Sequence, residues 1–318
     1  MTSRKADAAT DLWLVGLAAI WGINFSIVKV VLEQVPPLVF NALRFPLACA
    51  ALGLLVWHRH ERVLPDRRDL GRILLLGGMG NVLYQVAFII GIDWTYAGNA
   101  SLLLSTTPVW TVMLSAAAGH EYPSRSVVFG VTGTLIGMMF VVAGGGEQLS
   151  LGSDTLRGDL LMIVASVLWS VYTVLGAAPV VRYGALRMTT WTLWVGTPIL
   201  VIMGIPSLGA TDLTGVTLGA WLGVVYAGLF AIALAYVLWY HGVERLGNSR
   251  TAVYSNLVPV WALITAWVWL GERPSGLQLV GAVCILLGLS VARVGQSRSD
   301  SGGRQSGDST DEDPNCPR

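Results

Sequence analysis

Charge is scarce in this chain: Asp, Glu, Lys and Arg together make up 12% of its 318 residues, against about 25% in a soluble globular protein. The charges nearly cancel, at +1, so no nucleic acid or other polyanion is indicated as a partner. Acid is missing above all from the middle of the long apolar runs. Glu33, Asp93, Glu121, Asp159 and Glu272 all fall near run ends. That leaves no obvious buried carboxylate to carry protons, which weakens proton antiport and cationic-drug export together. Cysteine is equally sparse. Cys49, Cys284 and Cys316 are far apart and form no Cys-x-x-Cys pair, so metal and redox readings lack support. The four histidines (His58, His60, His120 and His241) do not gather with thiols or carboxylates into a metal or enzyme site. The chain is therefore read as a non-enzyme without a cofactor.

What is abundant is apolar. Hydrophobic residues reach 54% and the mean hydropathy is +0.63, which places the chain in a lipid bilayer as a polytopic membrane protein. Ten segments approach the roughly 20 apolar residues that cross a bilayer. They lie near 12–32, 37–57, 70–92, 97–118, 125–144, 158–178, 187–207, 217–240, 249–270 and 276–294. The first apolar run, Leu12–Val28, outlasts the roughly 7–15 residues of a secretory signal core and reads as a retained span. Beyond residue 294 the chain is rich in Ser, Gly and Asp and reads as a disordered tail.

Two stretches displaced by 151 residues carry one pattern, Glu-x-Pro-Ser-x5-Gly-x6-Gly. The first copy is Glu121, Pro123, Ser124, Gly130 and Gly137, and the second is Glu272, Pro274, Ser275, Gly281 and Gly288. Pro108-Val109-Trp110 recurs as Pro259-Val260-Trp261 at the same displacement, and Gly91 as Gly242. A fixed displacement marks a duplicated unit. Sixteen of the twenty Lys and Arg fall on the side of the N-terminus, and only Arg157 and Arg273 on the other. The positive-inside rule then puts both termini in the cytoplasm. Five spans per half is an odd number, so the second half enters from the opposite side. The predicted fold is an all-α membrane protein of ten transmembrane helices in two inverted five-helix repeats. Its organisation is a cytoplasmic tail at 1–11, a first repeat at 12–144, an external linker at 145–157, a second repeat at 158–294 and a cytoplasmic tail at 295–318.

The first half reads Trp21-Gly22-x-Asn24-Phe25-x3-Lys29-x7-Pro37-x6-Arg44. With the Pro108 segment and the duplicated Glu-x-Pro-Ser turn, it resembles the drug/metabolite transporter superfamily, EamA type, over residues 12–294. The resemblance implies a bacterial inner-membrane carrier of small metabolites, often an exporter, with its cavity between two five-helix halves. The second half departs from this motif: Trp169 answers Trp21, but Ala177 stands opposite Lys29 and Thr192 opposite Arg44. Any basic contribution to a substrate site is one-sided.

Within the spans, uncharged polar and aromatic residues share helical faces. Candidates for binding a small-molecule substrate are Trp21, Asn24, Asn81, Tyr84, Gln85, Ser101, Ser105, Trp169, Tyr172, Tyr236, Tyr254 and Ser255. Amides, hydroxyls and rings suit an uncharged or zwitterionic solute. The alternative for each is interhelical bonding, worth about 0.6 kcal/mol on average. Lys29 and Arg44 lie well inside spans and are candidates for gating or substrate attraction. Both are also within snorkelling reach of the outer surface. Pro108 and Pro259 are read as mid-span hinges or kinks. Gly133-x3-Gly137 and the Cys284–Gly288 stretch are small-residue packing faces, open also to a homodimer contact. The favoured function is export or exchange of an amino-acid-like or other zwitterionic or uncharged metabolite. An ion-coupled drug exporter and a non-transporting scaffold or receptor are the competing readings.

Overall fold

The computed structural model describes residues 2–60, 64–117, 125–144, 154–288 and 290–291, and among them every regular element is helical. Glu121, Pro123 and Ser124 of the first repeat copy lie outside the described residues. Six stretches are long and apolar enough to cross a bilayer: Thr10–Leu32, Pro37–His58, Arg67–Trp94, Asp154–Tyr183, Ala185–Leu208 and Leu218–Arg245. Val128–Val141, Val258–Leu270 and Gly276–Gly288 are shorter apolar helices. The dominance of helix follows from the solvent, since lipid offers the backbone no hydrogen bonds and each span must satisfy its own. Large apolar side chains point outward as lipid requires: Phe129 is 74% exposed and Leu218 75%.

The first helices, α1 (Thr2–Leu32) and α2 (Pro37–His58), match the expected first two spans, with Pro37 in the first turn of α2. The third expected span is one helical stretch, Arg67–Trp94, whose regular α winding is broken part-way. A π turn at Met79–Leu83 separates α3 (Leu70–Gly78) from α4 (Tyr84–Trp94). A second π turn, Ala227–Leu234, separates α10 (Leu218–Tyr226) from α11 (Ala235–Tyr254). The two turns end 151 residues apart, at Leu83 and Leu234, so the repeat extends to backbone irregularity.

The fourth expected span is also broken. α5 (Ala97–Leu104) stops before Ser105–Thr106, and α6 (Thr107–Ala117) restarts with Pro108 in its first turn. The ninth repeats this, with a 3-10 turn at Ser255–Leu257 and Pro259 in the first turn of α12 (Val258–Thr265). The prolines expected as mid-span kinks thus begin new helices, where the missing N–H costs nothing. Helical winding continues through 241–250, where a link between spans is expected, yet the chain does reverse. A Cβ placed on Gly242 would lie 2.8 Å from Thr251 Cγ2, whereas nine residues of straight helix span ~13 Å.

The remaining helices are α7 (Arg125–Ala143), α8 (Asp154–Tyr183), α9 (Ala185–Leu208) and α13 (Gly276–Gly288). The glycine faces of α7 and α13 pack on each other. A Cβ on Gly137 would sit 2.7 Å from Gly281 O, and one on Gly288 would sit 2.6 Å from Gly130 O. Gly130 and Gly137 answer Gly281 and Gly288 under the 151-residue displacement, so the contact is reciprocal, as across a twofold axis. The faces held open for a homodimer are thereby occupied inside the chain.

Candidate functional site

Aromatic rings from both parts of the duplicated chain meet at the centre of the bundle. Trp21 of α1 donates its indole N–H to the carbonyl of Ala231 at 2.9 Å. That carbonyl lies in the second π turn, where the regular ladder is broken and carbonyls need other donors. The bond fixes the ring, which then meets Trp169 at 5.7 Å, Trp239 at 5.5 Å and Tyr236 at 6.4 Å between centroids. Trp169 also packs against Tyr84 at 4.9 Å and Tyr236 at 5.1 Å. Trp21 and Trp169, the answering tryptophans of the two halves, are thus in contact.

Beside this aromatic wall stands a buried cation. Arg44 is 2% exposed, so it does not snorkel to the surface. Its Nε and Nη2 donate to Asn41 Oδ1 at 3.0 and 2.8 Å, and Nη2 also to Gln85 Oε1 at 2.8 Å. The guanidinium carbon lies 4.5 Å from the Phe40 ring centroid. Gln85 Nε2 faces the Tyr236 hydroxyl at 2.6 Å, and these two positions are again 151 residues apart. One glutamine therefore links the cation to the second half of the chain.

These groups surround a cavity that is open at one side, with about 880 Å³ of empty space counting its mouth. Of the sequence candidates, Trp21, Asn24, Arg44, Tyr84, Gln85, Ser101, Ser105, Trp169, Tyr236 and Ser255 line it. Ser101 and Ser105 donate their hydroxyls to the carbonyls of Gly98 and Ser101 at 2.8 and 2.7 Å, which leaves their lone pairs to the cavity. Asn24 Oδ1, Thr173 Oγ1 and Trp239 Nε1 are buried with no partner among the described residues.

Four candidates stand outside this lining. Asn81 sits in the first π turn, fully buried, with its Cβ 2.5 Å from a Cβ placed on Gly196. The Tyr172 hydroxyl pairs with Thr192 at 3.1 Å, away from the cavity, although its ring packs on Trp169. Tyr254 ends α11 just before the 3-10 turn and is half-buried. Lys29 donates to the carbonyl of Asp93 at 3.0 Å, tying α1 to the end of α4. Sequence reasoning missed Ala231 and Thr107 and left Thr173 and Trp239, which share helical faces with Trp169 and Tyr236, off the candidate list; all four are in the lining. Trp239 was open to detection, because it answers Phe88, another lining residue, at the 151-residue displacement. Ala231 was not, since its contribution comes from the π turn.

Polar ties bridge the halves at both ends of the bundle. Where α4 passes into α5, Glu272 accepts from the backbone N–H groups of Ala97 and Gly98 at 3.0 and 3.2 Å. Glu272 lies four residues before the start of α13 but does not cap it. Ser275 and Gln278 cap that helix instead, in a reciprocal box at 2.7 and 3.2 Å. Nearby Asp159 is 1% exposed and accepts from Thr95 at 2.5 Å and Asn99 at 3.4 Å, so a carboxylate near a run end is buried after all. At the opposite end, Arg182 pairs with Asp69 at 3.0 Å and Tyr183 donates to Asp69.

An apolar helical bundle around a polar, aromatic cavity is the build of a multi-pass membrane transporter. The chain belongs to the EamA-like transporter family, whose pattern matches twice, at residues 8–143 and 156–294. Among its relatives, the uncharacterized transporter YdfC of Bacillus subtilis is 30% identical, covering 86% of this chain and 87% of its own. A probable terminal-alkyne amino-acid exporter of Streptantibioticus cattleyicolor is 29% identical over 87% of this chain and 91% of its own. A probable amino-acid metabolite efflux pump of Salmonella typhimurium is 28% identical over 86% and 91%. A crystal structure 21% identical to the chain covers 92% of it and 99% of its own length, with a TM-score of 0.67. That likeness is one of fold.

Proposed function

We propose that the protein is a secondary transporter that exports or exchanges a small amino-acid-like, zwitterionic or uncharged solute across the bacterial inner membrane by alternating access. The observation that carries this reading is the central cavity lined from both family repeats, with polar ties between the repeats at each end of the bundle. Opening one set of ties while the other holds would expose the cavity to one side at a time, as in other duplicated carriers. The topology that goes with it is ten spans in two inverted repeats, bounded at 12–144 and 158–294, with both termini cytoplasmic. Two relatives named for amino-acid export or amino-acid metabolite efflux fit the proposed substrate class. The test is counterflow of a labelled metabolite panel in proteoliposomes, which should trap at least one solute above protein-free vesicles. Proton-coupled export is a second reading, favoured by the burial of Asp159. An imposed pH gradient should then drive uptake, and Asp159→Asn should abolish the driving without abolishing counterflow.

A further inference from the structure

Among the described residues, the cavity holds a cation with nothing of opposite charge beside it. Arg44 is bonded to two neutral amides, Asn41 and Gln85, and packed on the ring of Phe40. The ion pairs among the described residues join other, exposed arginines to Asp66, Asp69 and Asp154. A guanidinium buried in a membrane protein without an anion is costly, and such a charge points to function. Three of its five N–H donors are engaged by Asn41 and Gln85. The Nη1 pair has no partner among the described residues, and Arg44 lines the cavity.

We infer that Arg44 is the receptor for a carboxylate on the transported solute. This assignment rests on the transporter reading and narrows its substrate class to small organic monocarboxylates, amino acids among them. Charge balance selects a solute with a single anionic group. Arg44 is the one Lys or Arg among the described lining residues, and Lys29 is engaged outside them with the Asp93 carbonyl. A dianion such as a phosphate ester would leave a charge unmatched in low dielectric. Geometry selects a flat anion, because a guanidinium presents its donors in a planar fork matched to carboxylate oxygens. The aromatic wall of Trp21, Trp169, Tyr236 and Tyr84 selects the rest of the solute, offering ring faces to an apolar body. Asn41 and Gln85 act as positioning residues, holding the fork by accepting from its other edge. A solute bearing only an amine would meet like charge and no acid among the described lining residues.

The test is binding to the full-length protein in detergent, using matched pairs: 3-phenylpropanoate and 3-phenylpropanamide, and phenylalanine, leucine and methionine with their amides. Each acid should bind at least about tenfold tighter than its amide, the expected cost of exchanging a charge-assisted pair for a neutral one. In Arg44→Gln the acid preference should vanish, and in Arg44→Lys it should persist but weaken, because the charge remains and the fork is lost. The wild-type comparison stands alone if Arg44→Gln fails to fold. Equal binding of acid and amide, or binding of no acid, overturns the assignment. So does an acid preference that survives in folded Arg44→Gln. Counterflow of any neutral solute alongside such a result would leave the transporter reading standing while removing Arg44 from it.

Discussion

Asn81 and Gln85 are four residues apart, yet Gln85 lines the cavity and Asn81 packs beside Gly196. A water-soluble thiol reagent should distinguish them. With Cys49, Cys284 and Cys316 replaced, cysteines at Asn24 and Ser105 should react and be slowed by substrate, while one at Asn81 should stay unreactive. Reaction at Asn81 that substrate slows would return it to the site. Tyr236→Phe tests the bond between the halves. It removes the hydroxyl facing Gln85 Nε2 and should cost about 1 kcal/mol, read as a lower thermal midpoint in detergent. The facing arrangement of Trp21, Asn24 and Trp169 was legible from sequence because each lies in unbroken helix, where the 3.6-residue period holds. Asn81 was misplaced because the Met79–Leu83 π turn adds backbone to one turn and rotates the face there. Tyr254 sits beside a 3-10 turn, which likewise disturbs the period.

At the scale of the element, the Glu-x-Pro-Ser turn proves to act across the bundle. Glu272 places its charge at the N-terminus of α5, where the helix dipole and two free N–H groups favour it. Glu272→Gln should lower stability by roughly 0.5–1 kcal/mol. Glu272→Ala, which leaves both amides without their acceptor, should cost more by thermal unfolding. Equal, negligible losses would make the contact incidental. The sequence showed that the turn is duplicated and near a helix start. It did not show which helix, because only the packing of the second repeat on the first decides that. The same holds for the glycine stripes of α7 and α13. Gly288→Leu should lower the thermal midpoint without altering oligomeric state, since its side chain would meet Gly130 O and Thr134 within the chain. A change of oligomeric state at unchanged stability would restore the homodimer contact.

For the whole molecule, the lopsided distribution of Lys and Arg sets the expected sidedness. A reporter active only in the cytoplasm should give signal when fused after Gly295, and one active only outside when fused after Gly209. The reverse pair of results would invert the orientation. Length and hydropathy made the six long apolar spans legible, but not the breaks at Ser105–Thr106 and Ser255–Leu257. Those breaks depend on Pro108 and Pro259 starting new helices, and a proline within an apolar run is equally compatible with a simple kink.

Gln85 and Tyr236 occupy answering positions and touch, as do Trp21 and Trp169. A position that meets its own copy sits where the two halves cannot be told apart by geometry, and only chemistry can distinguish them. Chemistry does so at several answering positions, and at Arg44 the difference puts a charge in the described cavity lining. Arg44 has Thr192 as its counterpart, and Thr192 spends its hydroxyl on Tyr172 and on its own helix. A solute gripped by its acid group at Arg44 is therefore polarised with respect to the chain. It keeps the same end towards the first repeat whichever way the cavity opens, so it must leave with the orientation in which it was bound. A carrier so built would discriminate between mirror-image solutes, because a fixed acid group against an asymmetric ring wall leaves the two hands of a chiral carbon with different neighbours.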